Sequence, residues 1–68
     1  MRAMIEPSQI RSRAYEARVT MNQLMKRAGV PNSTFWRWDT GKINAPHPIT
    51  LARIMEALEA AEAERANP

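Results

Sequence analysis

The sequence predicts an all-α domain of four to five short helices. Apolar residues recur at steps of three and four positions along most of the 68 residues, which is typical of helices with one buried face. No stretch alternates between apolar and polar residues as a half-buried strand would. Glycine, proline and capping residues separate the periodic stretches, so each predicted helix is only a few turns long.

The composition limits what this chain can be. Residues 1–68 are too few for more than one domain, and 44% hydrophobic residues are enough to form a core. With no cysteine and a single histidine, we expect no disulfide, no metal site and no cofactor. The serines lack a His and Asp constellation and no glycine-rich phosphate loop is present, so an enzyme is not expected. No apolar run approaches the roughly 18 residues that span a bilayer, which predicts a soluble, cytoplasmic protein.

Charge is unevenly distributed along the chain. Residues 1–42 contain eight Lys and Arg against three Asp and Glu, whereas residues 43–68 contain two Arg against four Glu. A polyanion would bind the basic segment, and the acidic segment would face away from it. The alternative is a basic surface that is merely solvated.

The first predicted helix spans about residues 8–18, with Ser8 as its N-cap. Its buried stripe comprises Ile10, Ala14 and Ala17, with Tyr15 as a further candidate. The opposite face carries Arg11, Arg13 and Arg18.

The second helix has the best-defined start. Thr20 and Gln23 have the spacing of a capping box, so the helix begins at Thr20 or Met21. Gly29 follows its last turn, where a left-handed cap is expected. A side chain at position 29 is expected to strain this conformation and to press on the helix crossing.

Two further helices are predicted after this glycine. One starts within residues 31–33, because Pro31 suits a first helical position, and ends at Gly41. The segment 42–48 contains two prolines and is expected to be an irregular connection. The last helix, at about residues 50–65, carries an amphipathic stripe that alanines continue: Leu51, Ile54, Met55 and Leu58.

Two short helices joined by a glycine turn predict a helix-turn-helix at about residues 20–41. The segment from Thr20 to Pro46, TMNQLMKRAGVPNSTFWRWDTGKINAP, resembles the Cro and phage-repressor class of DNA-binding domains. The shared features are Gly29, the apolar Phe35 and Trp38, Asp39, the Gly41-Lys42 exit and the proline-bearing loop. This resemblance implies a helix-turn-helix of the phage-repressor type, whose second helix enters the major groove of duplex DNA.

Three positions depart from the family pattern. Met21 stands where the family usually has a glutamine that contacts a phosphate and braces the recognition helix. Met25 stands where the family favours alanine, which implies either a wider helix crossing or a bent side chain. Ala14 replaces an arginine that commonly pairs with the acid after the recognition helix. The remaining candidates to pair with that acid, Asp39, are Arg11, Arg13 and Arg18, or none of them.

The outward face of the third helix supplies the candidate base contacts. With Phe35 and Trp38 directed inward, the residues left to face a groove are Asn32, Ser33, Trp36 and Arg37. Arginine can pair with two atoms of guanine, and asparagine with two atoms of adenine. Arg37 and Asn32 are therefore the predicted readers, and the alternatives are a solubilising arginine and a helix N-cap.

Trp36 places an indole on the outside of a short helix, beside the proposed site. Three interpretations are open: packing on a thymine methyl or sugar edge, contact with a second subunit, and partial burial against the loop at residues 42–48. Only the first two give the indole a role in binding.

Six residues are candidates for phosphate contacts, which position a protein on DNA without reading sequence. They are Thr20, Asn22, Thr40, Lys42, Asn44 and His47. The first two lie at the start of the second helix, whose free amides also attract a phosphate. The resemblance implies that the loop after the recognition helix runs along the phosphate backbone, which brings in its lysine, asparagine and histidine. The alternative for the histidine is simple exposure.

The resemblance implies a small phage-type transcription regulator that binds an inverted repeat in duplex DNA, in the cytoplasm of a bacterial or phage-infected cell, at the nucleoid. We expect a weak or DNA-assisted homodimer, because one short reading helix usually needs a second half-site. The protein would repress by occluding RNA polymerase or activate by touching it. The alternatives are an antitoxin-type autorepressor with a toxin contact on its acidic last helix, an excisionase-like architectural protein, and a protein-interaction module without DNA.

Overall fold

The computed structural model describes residues 5–66, and these residues form four helices and no strand. The helices are α1 (Pro7–Glu16), α2 (Met21–Ala28), α3 (Asn32–Asp39) and α4 (Pro48–Ala66). This confirms the all-α prediction at the lower of the two helix counts. None of these helices is long and apolar enough to cross a membrane.

The start of α1 differs from the prediction. Glu6, not Ser8, occupies the N-cap position, and its backbone N–H donates to Oε1 of Gln9 at 2.8 Å. Pro7 follows as the first helical residue, where a missing N–H removes no helical hydrogen bond. The predicted cap at Ser8 was wrong because this proline and glutamine favour a cap two residues earlier, at Glu6.

The end of α1 also comes earlier than predicted, at Glu16. Arg18 takes a left-handed conformation with φ of 64°, and the N–H of Val19 donates to the carbonyl of Ala14 at 3.0 Å. This hydrogen-bond pattern closes a helix and turns the chain toward α2. Tyr15 is 83% exposed, so its predicted place in the buried stripe was wrong. It lies five residues after the buried Ile10, which is about 140° around the helix.

Both ends of α2 confirm the prediction. Oγ1 of Thr20 accepts the N–H of Gln23 at 3.0 Å, and Oε1 of Gln23 accepts the N–H of Thr20 at 2.9 Å, which completes the capping box. Gly29 takes the left-handed conformation, with φ of 71°. A Cβ there would meet no atom within 4 Å, so the predicted pressure on the helix crossing was wrong. A side chain at this position costs backbone strain alone, about 1 kcal/mol.

The helix α3 lies within the predicted bounds. It begins at Asn32, with Pro31 in the N-cap position. Gly41 follows its end with φ of 83°, and the N–H of Lys42 donates to the carbonyl of Arg37 at 2.7 Å. This exit places the lysine beside the last turn of α3.

The helix α4 begins at Pro48, two residues earlier than predicted, and runs to Ala66. The carbonyl of His47 accepts the N–H of Leu51 at 2.9 Å, and its Nδ1 accepts the N–H of Ile49 at 3.1 Å. His47 therefore satisfies two amides at the start of the helix, and a proline is tolerated at the next position.

One core joins the four helices. α3 packs against α1 and α2, and α4 packs against the same two helices, with no close backbone approach between α3 and α4. The largest fully buried side chains are Ile10, Leu24, Met25, Phe35, Ile54 and Leu58. The predicted stripe of α4 is confirmed, since Leu51 and Met55 pack against this core and the buried Ala57 and Ala61 extend it.

Two arginines bind the acidic end of α4 to the other helices. Arg13 of α1 donates two hydrogen bonds of 2.7 Å to the carboxylate of Glu62. Arg27 of α2 binds Glu64, with Nη1 3.1 Å from Oε1. Hydrogen bonds from the arginines lower the pKa of both glutamates below the usual value. The chain thus neutralises part of its own acidic end.

Glu62→Gln should lower the melting temperature at neutral pH by a few degrees, because it removes a partly exposed ion pair worth about 1 kcal/mol or less. The pKa of Glu62 in the folded state lies below its pKa in the unfolded state. The ion pair therefore stabilises the fold at pH values above the unfolded-state pKa. This stabilisation is lost as pH falls through the folded pKa. Circular-dichroism melts from about pH 7 to about pH 3 should therefore show the variant and the wild type converging in acid.

Glu56→Gln is the matched control, because Glu56 is exposed on the same helix and forms no ion pair with another of residues 5–66. A difference between Glu62→Gln and wild type that stays constant with pH would contradict the assigned ion pair.

Candidate nucleic-acid interface

The face of α3 opposite the core is a continuous exposed stripe. Its members, at the i, i+3, i+4 and i+7 positions of a helix, are Ser33, Trp36, Arg37 and Thr40. We call these four residues the outer stripe. Three of the four predicted base-contact residues belong to it, and only Asn32 does not.

The rotation of α3 is set by two aromatic side chains. Phe35 and Trp38 are 2% and 5% exposed, and their rings pack edge to face with centroids 5.9 Å apart. This confirms the prediction that both residues point inward. Because α3 is only eight residues long, these two contacts decide which side chains face solvent.

An ion pair fixes the C-terminal end of α3 to α1. Nη2 of Arg11 lies 3.3 Å from Oδ1 of Asp39, whose side chain is only 15% exposed. Arg11 was one of three predicted partners, and the structure selects it because Arg13 binds Glu62 instead. The pair takes over the role implied for the arginine that Ala14 replaces.

Trp36 is 56% exposed and lies on the outer stripe. More than half of its surface is open to solvent. The three interpretations of its role remain predictions.

Asn32 lies at the edge of the outer stripe and is partly buried. Its Nδ2 donates a hydrogen bond to Oδ1 of Asn22 at the start of α2. Its own Oδ1 is buried and has no partner among residues 5–66. The alternative interpretation of Asn32 as an N-cap was wrong, because Pro31 holds the cap position and Asn32 is already helical.

The two departures from the family pattern in α2 point inward. Met25 is 1% exposed and belongs to the core, which agrees with a side chain that adapts to the crossing. Met21 is half-buried and packs against the same core. The next residue, Asn22, is exposed at the start of α2.

The six predicted phosphate contacts fall into three groups. Thr20, Thr40 and His47 already satisfy backbone amides or carbonyls of their own helices; the hydroxyl of Thr40 donates to the carbonyl of Trp36 at 2.7 Å. Lys42 and Asn44 are exposed, and their side chains bind no other group in the described part of the chain. Asn22 shares its oxygen with Asn32 and keeps its amide N–H groups.

The internal ion pairs decide which cationic groups are left for a partner. Arg11, Arg13 and Arg27 each bind a carboxylate. Within residues 20–42, the cations without a carboxylate partner in the described part of the chain are Lys26, Arg37 and Lys42. Sequence reasoning missed Lys26 as a site residue, although its spacing of four from Asn22 puts both on one side of α2.

A short exposed helix, held across its predecessor by a glycine turn and flanked by unpaired cations, defines a DNA-binding domain of the helix-turn-helix class. The family model described as Helix-turn-helix domain matches residues 8–67, and the chain belongs to this family. No curated protein and no solved structure matches the chain. Membership in this family supports a DNA-binding regulator and confirms the predicted resemblance to the Cro and phage-repressor class. Families of this kind are typically non-enzymatic. Within residues 5–66 no group of three or more metal-ligating side chains is found.

The two tryptophans should respond oppositely to truncation. Trp38→Ala should destabilise the fold by about 3–5 kcal/mol, because it empties a core site. Trp36→Ala should change stability by no more than about 0.5 kcal/mol, because the indole is largely exposed. Circular-dichroism melts of both variants measure this difference. The reverse order would mean that α3 is rotated by about half a turn from the structure described.

Proposed function

We propose that the chain is a sequence-specific regulator of transcription that places α3 in the major groove of duplex DNA. The observation that carries this proposal is the outer stripe, which presents Arg37 without a carboxylate partner opposite the buried Phe35 and Trp38. A helix of two turns with one face fixed in the core can present only its other face to a groove.

Base recognition falls first on Arg37. A free guanidinium on the outer stripe can donate to O6 and N7 of guanine at once, a pattern that no other base pair offers in the major groove. Ser33, one turn earlier, can donate to or accept from a neighbouring base. Trp36 would pack on a thymine methyl or a sugar edge, where the apolar indole surface loses water.

Phosphate contacts would surround this stripe. Lys26 and Lys42 supply unpaired positive charge on either side of α3, and Asn44 supplies an exposed amide. Thr20 and Asn22 stand at the start of α2, where helix amides and the helix dipole favour a phosphate. The assignment of Thr40 as a phosphate contact requires its hydroxyl to leave the carbonyl it now binds.

His47 remains able to donate to a phosphate while it caps α4. Its Nδ1 accepts a backbone N–H, so the neutral ring carries its proton on Nε2. That N–H is a donor that the cap does not use. We therefore retain His47 among the proposed backbone contacts.

The acidic end of α4 supports the orientation of this interface. Glu62 and Glu64 bind Arg13 and Arg27, and α4 does not approach α3. The two ion pairs reduce the repulsion between these glutamates and DNA, and only the side chains of α4, not its backbone, reach the core shared with α3. Among the described residues, the same pairs leave only Glu56 and Glu59 as unpaired carboxylates on this helix for the toxin contact of the antitoxin alternative.

Two copies on an inverted repeat would give useful affinity and specificity. One α3 reaches only a few base pairs, and a second half-site about one helical turn away doubles the contacts. We propose a weak or DNA-assisted homodimer that represses by excluding RNA polymerase, or activates by touching it. An excisionase-like protein would instead bend its site strongly, which a gel-mobility bend assay distinguishes.

Selection from random duplex DNA should recover an inverted repeat, and affinity for it should fall steeply with salt. Counterion release by the phosphate contacts of two half-sites predicts a log–log slope of about −4 to −7. Lys42→Ala should weaken all duplexes alike and make the slope shallower by about 2, because one phosphate contact is lost in each half-site. Fluorescence-anisotropy titrations at several salt concentrations measure these quantities.

Arg53→Ala is the matched control for this prediction. Arg53 is exposed on α4 and pairs with no carboxylate within residues 5–66. Its removal changes net charge as Lys42→Ala does, but away from α3. A selection that recovers no preferred sequence, or an affinity for DNA that does not change with salt concentration, would contradict the proposed function.

A further inference from the structure

A hydrogen bond between two amide side chains joins the first turns of α2 and α3. Nδ2 of Asn32, the first residue of α3, donates to Oδ1 of Asn22, the second residue of α2. The two residues are ten positions apart, on opposite sides of the glycine turn. No other side-chain hydrogen bond connects these two helices within residues 5–66.

The environment of Asn32 does not suit a base reader. An asparagine that recognises adenine donates from Nδ2 to N7 and accepts from N6 with Oδ1, so both atoms must reach the base edge. Here Nδ2 gives one of its two hydrogens to Asn22, and Oδ1 is buried without a partner among residues 5–66, so it cannot accept from a base. Rotating the amide by half a turn would bury the nitrogen instead, so either orientation withdraws one of the two atoms.

We propose that Asn32 is a positioning residue that holds the first turn of α3 against α2 through Asn22, and that it does not read a base. This inference rests on the proposed DNA-binding function. Base reading then depends on Ser33, Trp36 and Arg37, all of which are exposed on the outer stripe.

The same bond gives Asn22 a second task. Its oxygen holds Asn32, while its Nδ2 group has no acceptor among residues 5–66 and stays free for a phosphate. A phosphate bound there would be coupled to the position of α3 through one side-chain hydrogen bond. Asn22 makes this contact with α3, and not its neighbour Met21, because Met21 packs into the core.

The inference is tested by measuring base preference separately from affinity. Wild type, Asn32→Ala, Asn22→Ala and Arg37→Ala are titrated with the selected duplex and with duplexes that change one base pair at a time. Asn32→Ala should weaken binding to every duplex by a similar factor, about tenfold, and leave the order of preference intact. Arg37→Ala is the matched control and should flatten the preference at one base pair per half-site, by about 5- to 150-fold.

The coupling between the two asparagines supplies a second measurement. If Asn32 acts through Asn22, the double variant should bind about as weakly as Asn22→Ala alone, which also loses the phosphate contact, rather than showing the product of both losses. In wild-type protein labelled with ¹⁵N-asparagine, the side-chain amide signal of Asn32 should keep the same shift in complexes with the selected duplex and with single-base variants. This signal is read in the wild type, so it stays informative if a variant unfolds.

Two results would overturn the inference while the proposed function stands. One is a loss of preference at a single base pair in Asn32→Ala, and the other is an Asn32 amide signal that shifts with the identity of one base pair. If wild-type protein shows no base preference at all, the proposed function fails, and that outcome is distinguishable from both.

Discussion

The rotation of α3 about its own axis is the constraint on which the site depends. Phe35 and Trp38 occupy the core in edge-to-face contact, and an eight-residue helix has no other face buried deeply enough to compete. Their burial stabilises the fold through apolar area and aromatic packing, and it also fixes the outer stripe on the opposite side. The buried residues that stabilise the fold and the exposed residues proposed for recognition therefore interleave along one short segment. A half-turn rotation would turn Trp36 and Arg37 toward the core.

Polar contacts at both ends of α3 complement this packing. The C-terminal end is tied to α1 by Arg11 and Asp39, and the N-terminal end is tied to α2 by Asn22 and Asn32.

Other internal pairs determine the charge of the surface, since a cation bound to a carboxylate attracts a phosphate less than a free one. The chain is basic by composition, yet only some of its described cations are unpaired, and those within residues 20–42 are Lys26, Arg37 and Lys42.

Local rules predicted the parts of the fold that depend on neighbouring residues. The capping box at Thr20 and Gln23, the left-handed Gly29 and the inward Phe35 and Trp38 each follow from spacing within one turn or one helix. The start of α1 was misplaced because Ser8 is a strong cap on its own, whereas Pro7 and Gln9 together favour Glu6. For contacts between helices, the sequence could only limit the number of candidate partners, as it did for Asp39 with three candidate arginines. The amide pair of Asn22 and Asn32 could not be predicted, because its two members are brought together by the angle of the helix crossing.

Fluorine NMR of protein labelled with fluorotryptophan tests the rotation of α3 about its own axis most directly. The two signals are assigned with Trp36→Phe, and a soluble paramagnetic agent then reports the exposure of each indole. The structure predicts strong broadening of the Trp36 signal in the free protein, protection of that signal by specific duplex, and a Trp38 signal that neither the agent nor DNA affects. Broadening of the Trp38 signal with a protected Trp36 in the free protein would contradict the arrangement on which the proposed recognition rests.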